Sequence, residues 1–205
     1  MKLEVISGEK IKDVIDELGN FRISIFKEYP YLYDGNLDYE RKYLSRYSNT
    51  SDSFLLLARD SQGILGAATG IPLIDDEPEF IEPFKDQNLD EIFYLGELMI
   101  RNDDRGRGMG SLLLRNMLDL IDKKRFKAVC LYTVDRGDNH PLKPESYQSP
   151  DSLWRKFSFE KHPSHVVYFC WQDLGNVVET EKPMNVWIKN FSALTEMGTK
   201  WPGKK

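Results

Sequence analysis

Hydrophobic and polar residues along this 205-residue chain follow two different periods, which predict strands and helices in turn. Segments that alternate in polarity, or that are rich in β-branched and aromatic residues, are predicted strands: 2–7, 52–60, 64–74, 92–100, 127–134, 165–173 and 182–191. Helical spacing predicts helices over 8–30, with Gly19 as a candidate break, and over 37–47, 108–124 and 149–159. Strand–helix–strand units mixed with hairpins predict an α/β (α+β) protein with one mixed sheet flanked by helices.

Composition and charge narrow the class of protein. Hydrophobic residues make up 40% and charged residues 30% of the chain, as in ordinary soluble domains. We expect one domain over residues 1–193 and a loose tail over 194–205. The net charge of -5 disfavours a general nucleic-acid binder, and no segment is long and apolar enough for a signal peptide or a membrane span. We therefore expect a cytoplasmic protein without nucleic-acid or membrane partners; a homodimer stays open.

The cysteines and histidines do not suggest a metal site. Cys130 and Cys170 lie in apolar runs and are predicted to be buried free thiols in a reducing compartment. The spacing of His140, His162 and His165 fits no tetrahedral zinc pattern, so no metal is expected. His140 is predicted in a surface loop, with a contact to substrate or cofactor as the alternative.

A glycine-rich turn, Arg105 to Gly110 ("RGRGMG"), follows the fourth predicted strand and opens a helix. A helix start presents unpaired N–H groups and a positive dipole end, and glycines let the backbone approach a ligand closely. Arg105 and Arg107 add positive charge, so the turn predicts a phosphate site, with a plain glycine-rich helix entry as the alternative. The spacing and position fit neither the Walker A loop nor the dinucleotide fingerprint.

The same turn carries a family resemblance. Arg105-x-x-Gly108-x-Gly110 resembles the acetyl-CoA loop Q/R-x-x-G-x-G/A of the GNAT superfamily of N-acetyltransferases, which lies between the fourth strand and the next helix. Ile100 stands where the family usually has valine, and the residues after the glycines are similar to the family's helix.

A second element also looks like the family. Residues 153–159 ("LWRKFSF") are similar to Leu-Tyr-x-Lys-x-Gly-Phe, with Trp154 in place of the tyrosine and Ser158 in place of the glycine. The order of elements resembles the family fold over about residues 2 to 192. The resemblance implies a mostly antiparallel sheet of about seven strands.

The resemblance also implies a reaction. An acetyl group would pass from acetyl-CoA to a primary amine of a small molecule, by direct attack with both substrates bound and without a metal. Acetylation of a protein N-terminus or lysine stays open, as does a non-catalytic CoA-binding regulator. The residues implied in cofactor binding are Leu98, Met99, Ile100, Arg105, Gly106, Arg107, Gly108, Met109, Gly110, Ser111 and Trp154.

Glu97 is the candidate catalytic base. It lies between apolar residues in the fourth strand, where loss of water should raise the pKa of its carboxyl group. The alternatives are an ion pair with a nearby Arg or Lys, or an exposed strand end. A regular strand places Glu97 on the face opposite Tyr94 and Leu98, although a bulge would change this. Because indole is no useful acid, Tyr147, Tyr132 or water would protonate the leaving thiolate, if anything does.

The acceptor side is less defined. The resemblance implies that the loop carrying Tyr31 and Tyr33 lines the acceptor pocket, together with Glu97. Residues 75–91 contain eight carboxylates and one lysine. They are predicted to form a solvated loop, or alternatively a negative wall that attracts a cationic substrate.

Overall fold

The computed structural model of the protein describes residues 1–191. The predicted tail over 194–205 and the last two residues of the predicted domain lie outside the described residues.

Within residues 1–191, seven strands form one sheet in the order β1-β2-β3-β4-β5-β7-β6. Their bounds are β1 Lys2–Ser7, β2 Phe54–Asp60, β3 Gly63–Pro72, β4 Ile92–Ile100, β5 Ala128–Val134, β6 Glu160–Gln172 and β7 Glu179–Asn190. All neighbouring strands are antiparallel except β4 and β5, which are parallel. The predicted mixed, mostly antiparallel sheet of about seven strands is confirmed.

Five α-helices in the described part of the chain connect these strands. Their bounds are α1 Ile15–Phe26, α2 Leu37–Asn49, α3 Pro78–Ile81, α4 Met109–Leu120 and α5 Asp151–Lys156. Short 3-10 turns cover Gly8–Val14, Leu73–Asp75, Glu82–Phe84, Leu89–Glu91 and Asn102–Asp104. The acidic segment 75–91 therefore folds into α3 and short turns before it enters β4.

The sheet separates two hydrophobic cores. Leu18 of α1 and Leu44 of α2 belong to one core, and Leu113 and Met117 of α4 belong to the other. All four side chains are fully buried, and burial of each stabilises the fold by about 1.5–3 kcal/mol. The central strands are consequently apolar on both faces, which explains their unbroken hydrophobic runs.

The first helical region differs from its prediction. Its first turns form the 3-10 segment Gly8–Val14, and α1 then continues through Gly19 without a break. A side-chain carbon at Gly19 would lie 3.0 Å from both Glu40 Cβ and Leu37 Cδ1 of α2. Gly19 therefore permits close packing of α1 against α2.

The two cysteines lie in different environments. Cys130 is buried in β5, as predicted, but Cys170 is exposed, so the prediction of a second buried thiol is wrong. Cys170 lies on β6, which is the last strand of the sheet, and its side chain points away from the core residues Phe169 and Trp171. An edge strand such as β6 buries only one of its two faces, and an apolar sequence alone does not show which face is buried.

Helix α5 ends in a Schellman motif. The Phe159 N–H donates to the Trp154 carbonyl (3.0 Å) and the Ser158 N–H donates to the Arg155 carbonyl (2.9 Å). The Trp154 and Phe159 rings pack edge to face, 6.1 Å apart. Ser158 itself has a φ of 62°, which is the left-handed region that glycine adopts without steric cost.

We predict that Ser158→Gly increases the free energy of unfolding by about 1 kcal/mol, because glycine removes the steric cost of the left-handed conformation. The change would be measured by urea denaturation. Ser158→Ala keeps a Cβ at the same position and should stay within about 0.5 kcal/mol of the wild type. A glycine variant no more stable than the alanine variant would contradict this explanation.

Candidate active site

Strand β4 carries a bulge at Gly96. Thr69 of β3 lies opposite Glu97, but the next residue of β3, Gly70, lies opposite Leu95, so Gly96 has no partner. The bulge reverses the alternation, and Tyr94 and Glu97 face the same side of the sheet. The assignment of these two residues to opposite faces is therefore wrong.

A cavity of about 1070 Å³ begins where β4 and β5 separate. The two strands pair only over residues 92–94 of β4 and 128–130 of β5. Beyond that point residues 95–100 of β4 line one wall and residues 131–134 of β5 line another. Backbone groups on the separated edges can bind an extended ligand in place of the missing strand pairing.

The glycine turn lies beside this cavity. Gly106 and Gly108 have φ values of 72° and 84°, which a residue with a side chain rarely adopts. Gly108 is the N-cap of α4, so the N–H groups of Met109, Gly110 and Ser111 have no acceptor within the helix. This geometry suits an anion, and the phosphate site at the turn stays a prediction.

The two arginines of the turn are not equivalent. Arg105 lines the cavity, donates to the Ile100 carbonyl at 3.0 Å and forms an ion pair with Glu28 at 2.6 Å. Arg107 is exposed, and within residues 1–191 no carboxylate lies within ion-pairing distance of it. Arg107 can therefore meet an anion without breaking an existing ion pair.

Other predicted cofactor residues also reach the cavity. Leu98, Met99, Ile100, Gly110 and Trp154 line it. Trp154 is 6% exposed, and its indole N–H is buried without a hydrogen-bond partner among the described residues. Because buried donors are normally paired, this N–H is suited to an acceptor atom of a ligand.

Glu97 lies in a buried network of charges and hydroxyl groups. Its carboxylate forms an ion pair with Arg22 of α1, which also binds Glu40 at 2.5 Å. Tyr43 donates to Glu97 Oε1 at 2.7 Å, and Thr69 donates to Oε2. The alternative prediction, an ion pair with a nearby Arg, is the one that the structure contains.

The ion pair changes the acidity expected of Glu97. Burial by itself raises the pKa of Glu97, but the charges of Arg22 and Arg46 and hydrogen bonds from Thr69 and Tyr43 outweigh burial and hold the pKa below its ordinary value. The predicted rise in pKa is therefore wrong. A carboxylate held in this way is a weak base at neutral pH.

The two tyrosines predicted to bind the acceptor, Tyr31 and Tyr33, lie in different surroundings. Tyr31 lines the cavity, next to Tyr29 and Leu32. Tyr33 is not among the lining residues; it pairs with Asp173 as an isolated bridge and its ring faces Gly35.

The acidic segment and the predicted histidine also lie apart from the cavity. None of residues 75–91 lines it, so the alternative of a negative wall at this site is not supported. His140 packs against Tyr29, with ring centroids 5.7 Å apart.

Several lining residues were not predicted. The loop that follows β5 supplies Asp135 and Arg136, in addition to Tyr147, which was predicted only as a candidate acid, and the loop after α1 supplies Tyr29. Asp135 and Arg136 are polar residues directly after a buried strand, and this sequence pattern could have indicated them as site residues. Tyr29 and Tyr147 meet from loops that are far apart in sequence, with ring centroids 4.7 Å apart, and no local pattern indicates this.

Within residues 1–191, no group of three or more His, Cys, Asp or Glu side chains is arranged to hold a metal ion. Over the same part of the chain, no helix is long and apolar enough to cross a membrane.

We predict that Glu97→Gln lowers the free energy of unfolding by about 3 kcal/mol at pH 7, because it leaves Arg22 and Arg46 with one buried countercharge fewer. Urea denaturation measures the change. Glu28→Gln is the matched control: its ion pair with Arg105 is solvent-exposed and should contribute less than about 1 kcal/mol.

The loss of unfolding free energy caused by Glu97→Gln should depend on pH in a defined direction. The folded-state pKa of Glu97 lies below the ordinary value of 4.5, so its stabilising effect is complete above that value and is lost as the pH falls through the folded-state pKa. The difference between wild type and Glu97→Gln should therefore shrink in strongly acidic buffer. A difference that is constant or grows on acidification would contradict the assigned network.

No protein-family model matches the sequence, and no curated protein matches it. Solved structures do match. A ribosomal-protein-alanine N-acetyltransferase from Brucella melitensis aligns with a TM-score of 0.60 at 12% identity, over 93% of this chain and 99% of that chain.

Two further structures agree. An N-acetyltransferase from Staphylococcus aureus Mu50 aligns with a TM-score of 0.57 at 12% identity, over 93% of this chain and 99% of that one. An acetyltransferase of the GNAT family from Streptococcus pneumoniae aligns with a TM-score of 0.57 at 16% identity, over 92% and 99%. The resemblance inferred from the glycine turn is thus confirmed at the level of the fold: this chain has the fold of the GNAT N-acetyltransferases.

Proposed function

We propose that the protein is an acetyl-CoA-dependent N-acetyltransferase that acts on the primary amine of a small molecule. The observation that carries the proposal is the separation of β4 from β5 beside the glycine turn, which gives one continuous cavity with an anion site next to it. Acetyltransferases with the same fold support the class of reaction.

The donor side follows from the chain's own groups. The N–H groups of residues 108–111, with Arg107 beside them, would hold the pyrophosphate of acetyl-CoA. The separated edge of β4, over residues 98–100, would bind the pantetheine arm through backbone hydrogen bonds. A backbone N–H of this edge is suited to polarise the thioester oxygen. When bound, acetyl-CoA supplies an activated acetyl group.

Glu97, the base predicted from the sequence, is unsuited to accept the proton of the substrate amine. In the proposed reaction the amine nitrogen bonds to the acetyl carbon, the carbon–sulfur bond breaks, and the thiolate takes up a proton equivalent to the one that the nitrogen loses after attack. Before attack the ammonium gives up its first proton, which passes to solvent water in the open cavity. The ion pair with Arg22 makes Glu97 a poor acceptor for that proton, so we propose it as a structural anchor of the cavity wall.

The leaving thiolate has two candidate partners. The unpaired indole N–H of Trp154 can donate a hydrogen bond to it without transferring a proton. Tyr132 is unsuited to protonate it because its hydroxyl donates to the Phe80 carbonyl. Tyr147, which is half-buried in the cavity lining, remains the candidate acid.

The shape of the cavity favours a small acceptor over a protein segment. Residues 135–138, 142–144 and 146–151 line it along with the strand walls, and residues 28–32 cover a further side. An acceptor would therefore meet side chains from two loops as well as from the sheet.

We predict that Gly108→Ala weakens acetyl-CoA binding at least about tenfold, because a Cβ at a φ of 84° disturbs the helix start that holds the anion. Gly63→Ala is the matched control. Gly63 also has a positive φ, 118°, but lies in the β2–β3 hairpin outside the cavity. Isothermal titration calorimetry with acetyl-CoA measures both variants.

Both substitutions should destabilise the fold, and only Gly108→Ala should lose affinity. Equal affinities in the two variants would contradict the anion site. Thiol release with a panel of primary amines then tests catalysis: a protein that binds acetyl-CoA and releases no thiol with any amine would be a CoA-binding regulator.

A further inference from the structure

The carboxylates that line the cavity differ in whether a basic side chain is paired with them. Four of the five have a basic partner: Glu28 with Arg105 at 2.6 Å, Glu97 with Arg22, Asp138 with Lys143 at 3.8 Å, and Asp151 with Arg155 at 4.0 Å. For the fifth, Asp135, no Lys or Arg in the described part of the chain lies within 4.0 Å.

The neighbouring arginine does not neutralise Asp135. Arg136 is bound at both terminal nitrogens to Asp173, at 2.6 and 3.0 Å, and also donates to the Pro30 and Tyr31 carbonyls. Lys161 lines the cavity as well, but it lies beyond ion-pairing distance of Asp135. The negative charge of Asp135 is therefore available to a ligand.

Asp135 is also held in position. It follows the last residue of β5 and is half-buried. One carboxylate oxygen accepts from the Gly137 N–H at 2.8 Å, and the other accepts from the Asn185 amide at 3.3 Å. Neither donor carries a charge, so the carboxylate is oriented without being neutralised.

Aromatic rings lie in the same part of the cavity. Tyr29 and Tyr147 meet edge to face with centroids 4.7 Å apart, and both line the cavity with Tyr31. Arg136, the residue after Asp135, donates to the carbonyl of Pro30, the residue after Tyr29, at 2.8 Å, which brings Asp135 and Tyr29 to the same part of the cavity. Aromatic faces beside a carboxylate favour an organic cation.

We propose that Asp135, together with Tyr29 and Tyr147, binds the acceptor as its ammonium form, and that the acceptor is a primary amine on an apolar or aromatic stem. This inference rests on the proposed function, since it assigns the acceptor side of the same cavity. Asp135 is the specificity-determining charge, and the two rings contact the stem.

The test compares a cation with its neutral isostere. Equilibrium dissociation constants for 2-phenylethylamine and 2-phenylethanol are measured by ligand-observed NMR on the protein in the presence of excess CoA. The wild type should bind the amine at least about tenfold tighter than the alcohol. Asp135→Asn should weaken amine binding about tenfold and leave alcohol binding unchanged, because the isosteric amide removes only the charge.

Two further variants sharpen the result. Asp138→Asn also removes a carboxylate from the cavity lining and should stay within about twofold of the wild type, because Asp138 is exposed and already paired. Tyr147→Leu should weaken amine binding by about threefold while keeping an apolar surface.

Each outcome decides a separate point. Equal binding of amine and alcohol by the wild type, binding of neither, or equal losses in Asp135→Asn and Asp138→Asn would overturn the ammonium site. The affinity of each protein for CoA is measured first by calorimetry. No CoA binding, with amine selectivity that depends on Asp135, would overturn the proposed acetyltransferase and support the ammonium site. CoA binding without amine selectivity would overturn the ammonium site alone.

Discussion

At Gly96, strand β4 carries one residue more than the neighbouring strand β3, and no larger residue fits there. A side-chain carbon at this position would overlap the hydroxyl groups of Tyr47 and Thr69. The bulge turns Glu97 towards Arg22, and just before it, after residue 94, the pairing of β4 with β5 stops. The cavity, its separated strand edges and its buried charges all lie beside this one irregularity.

The buried charges next to the bulge carry a cost that only their pairing offsets. Arg22, Arg46, Glu40, Asp76 and Glu97 are removed from water together, and each finds an opposite charge nearby. Such a network contributes little net stability compared with an apolar core, but losing one member leaves an uncompensated charge. The network joins α1 and α2 to β4 through contacts of Arg22 and Tyr43 with Glu97, beside one wall of the cavity.

The sequence was sufficient for the features that local patterns determine. The seven strands follow from strand-like sequence patterns, and the glycine-rich start of α4 follows from the glycine turn, whose phosphate site stays a prediction. The acidity of Glu97 could not be predicted, because its partner Arg22 lies 75 positions earlier in the chain. Asp135 was missed for a similar reason: its importance lies in having no basic partner, and that depends on Arg136 being bound to Asp173. Tyr33 shares a short aromatic loop with Tyr31, yet the two rings face different surroundings.

The central claim is that the separated edge of β4 and the glycine turn together bind acetyl-CoA. Hydrogen–deuterium exchange, followed by mass spectrometry with and without acetyl-CoA, tests this most directly. Amides of residues 95–111 should become protected on binding, because β4 gains a ligand in place of its missing strand partner and the helix start gains an anion. The hairpin between β2 and β3 should exchange at the same rate in both samples. Protection confined to other segments, or no protection at saturating acetyl-CoA, would contradict the account.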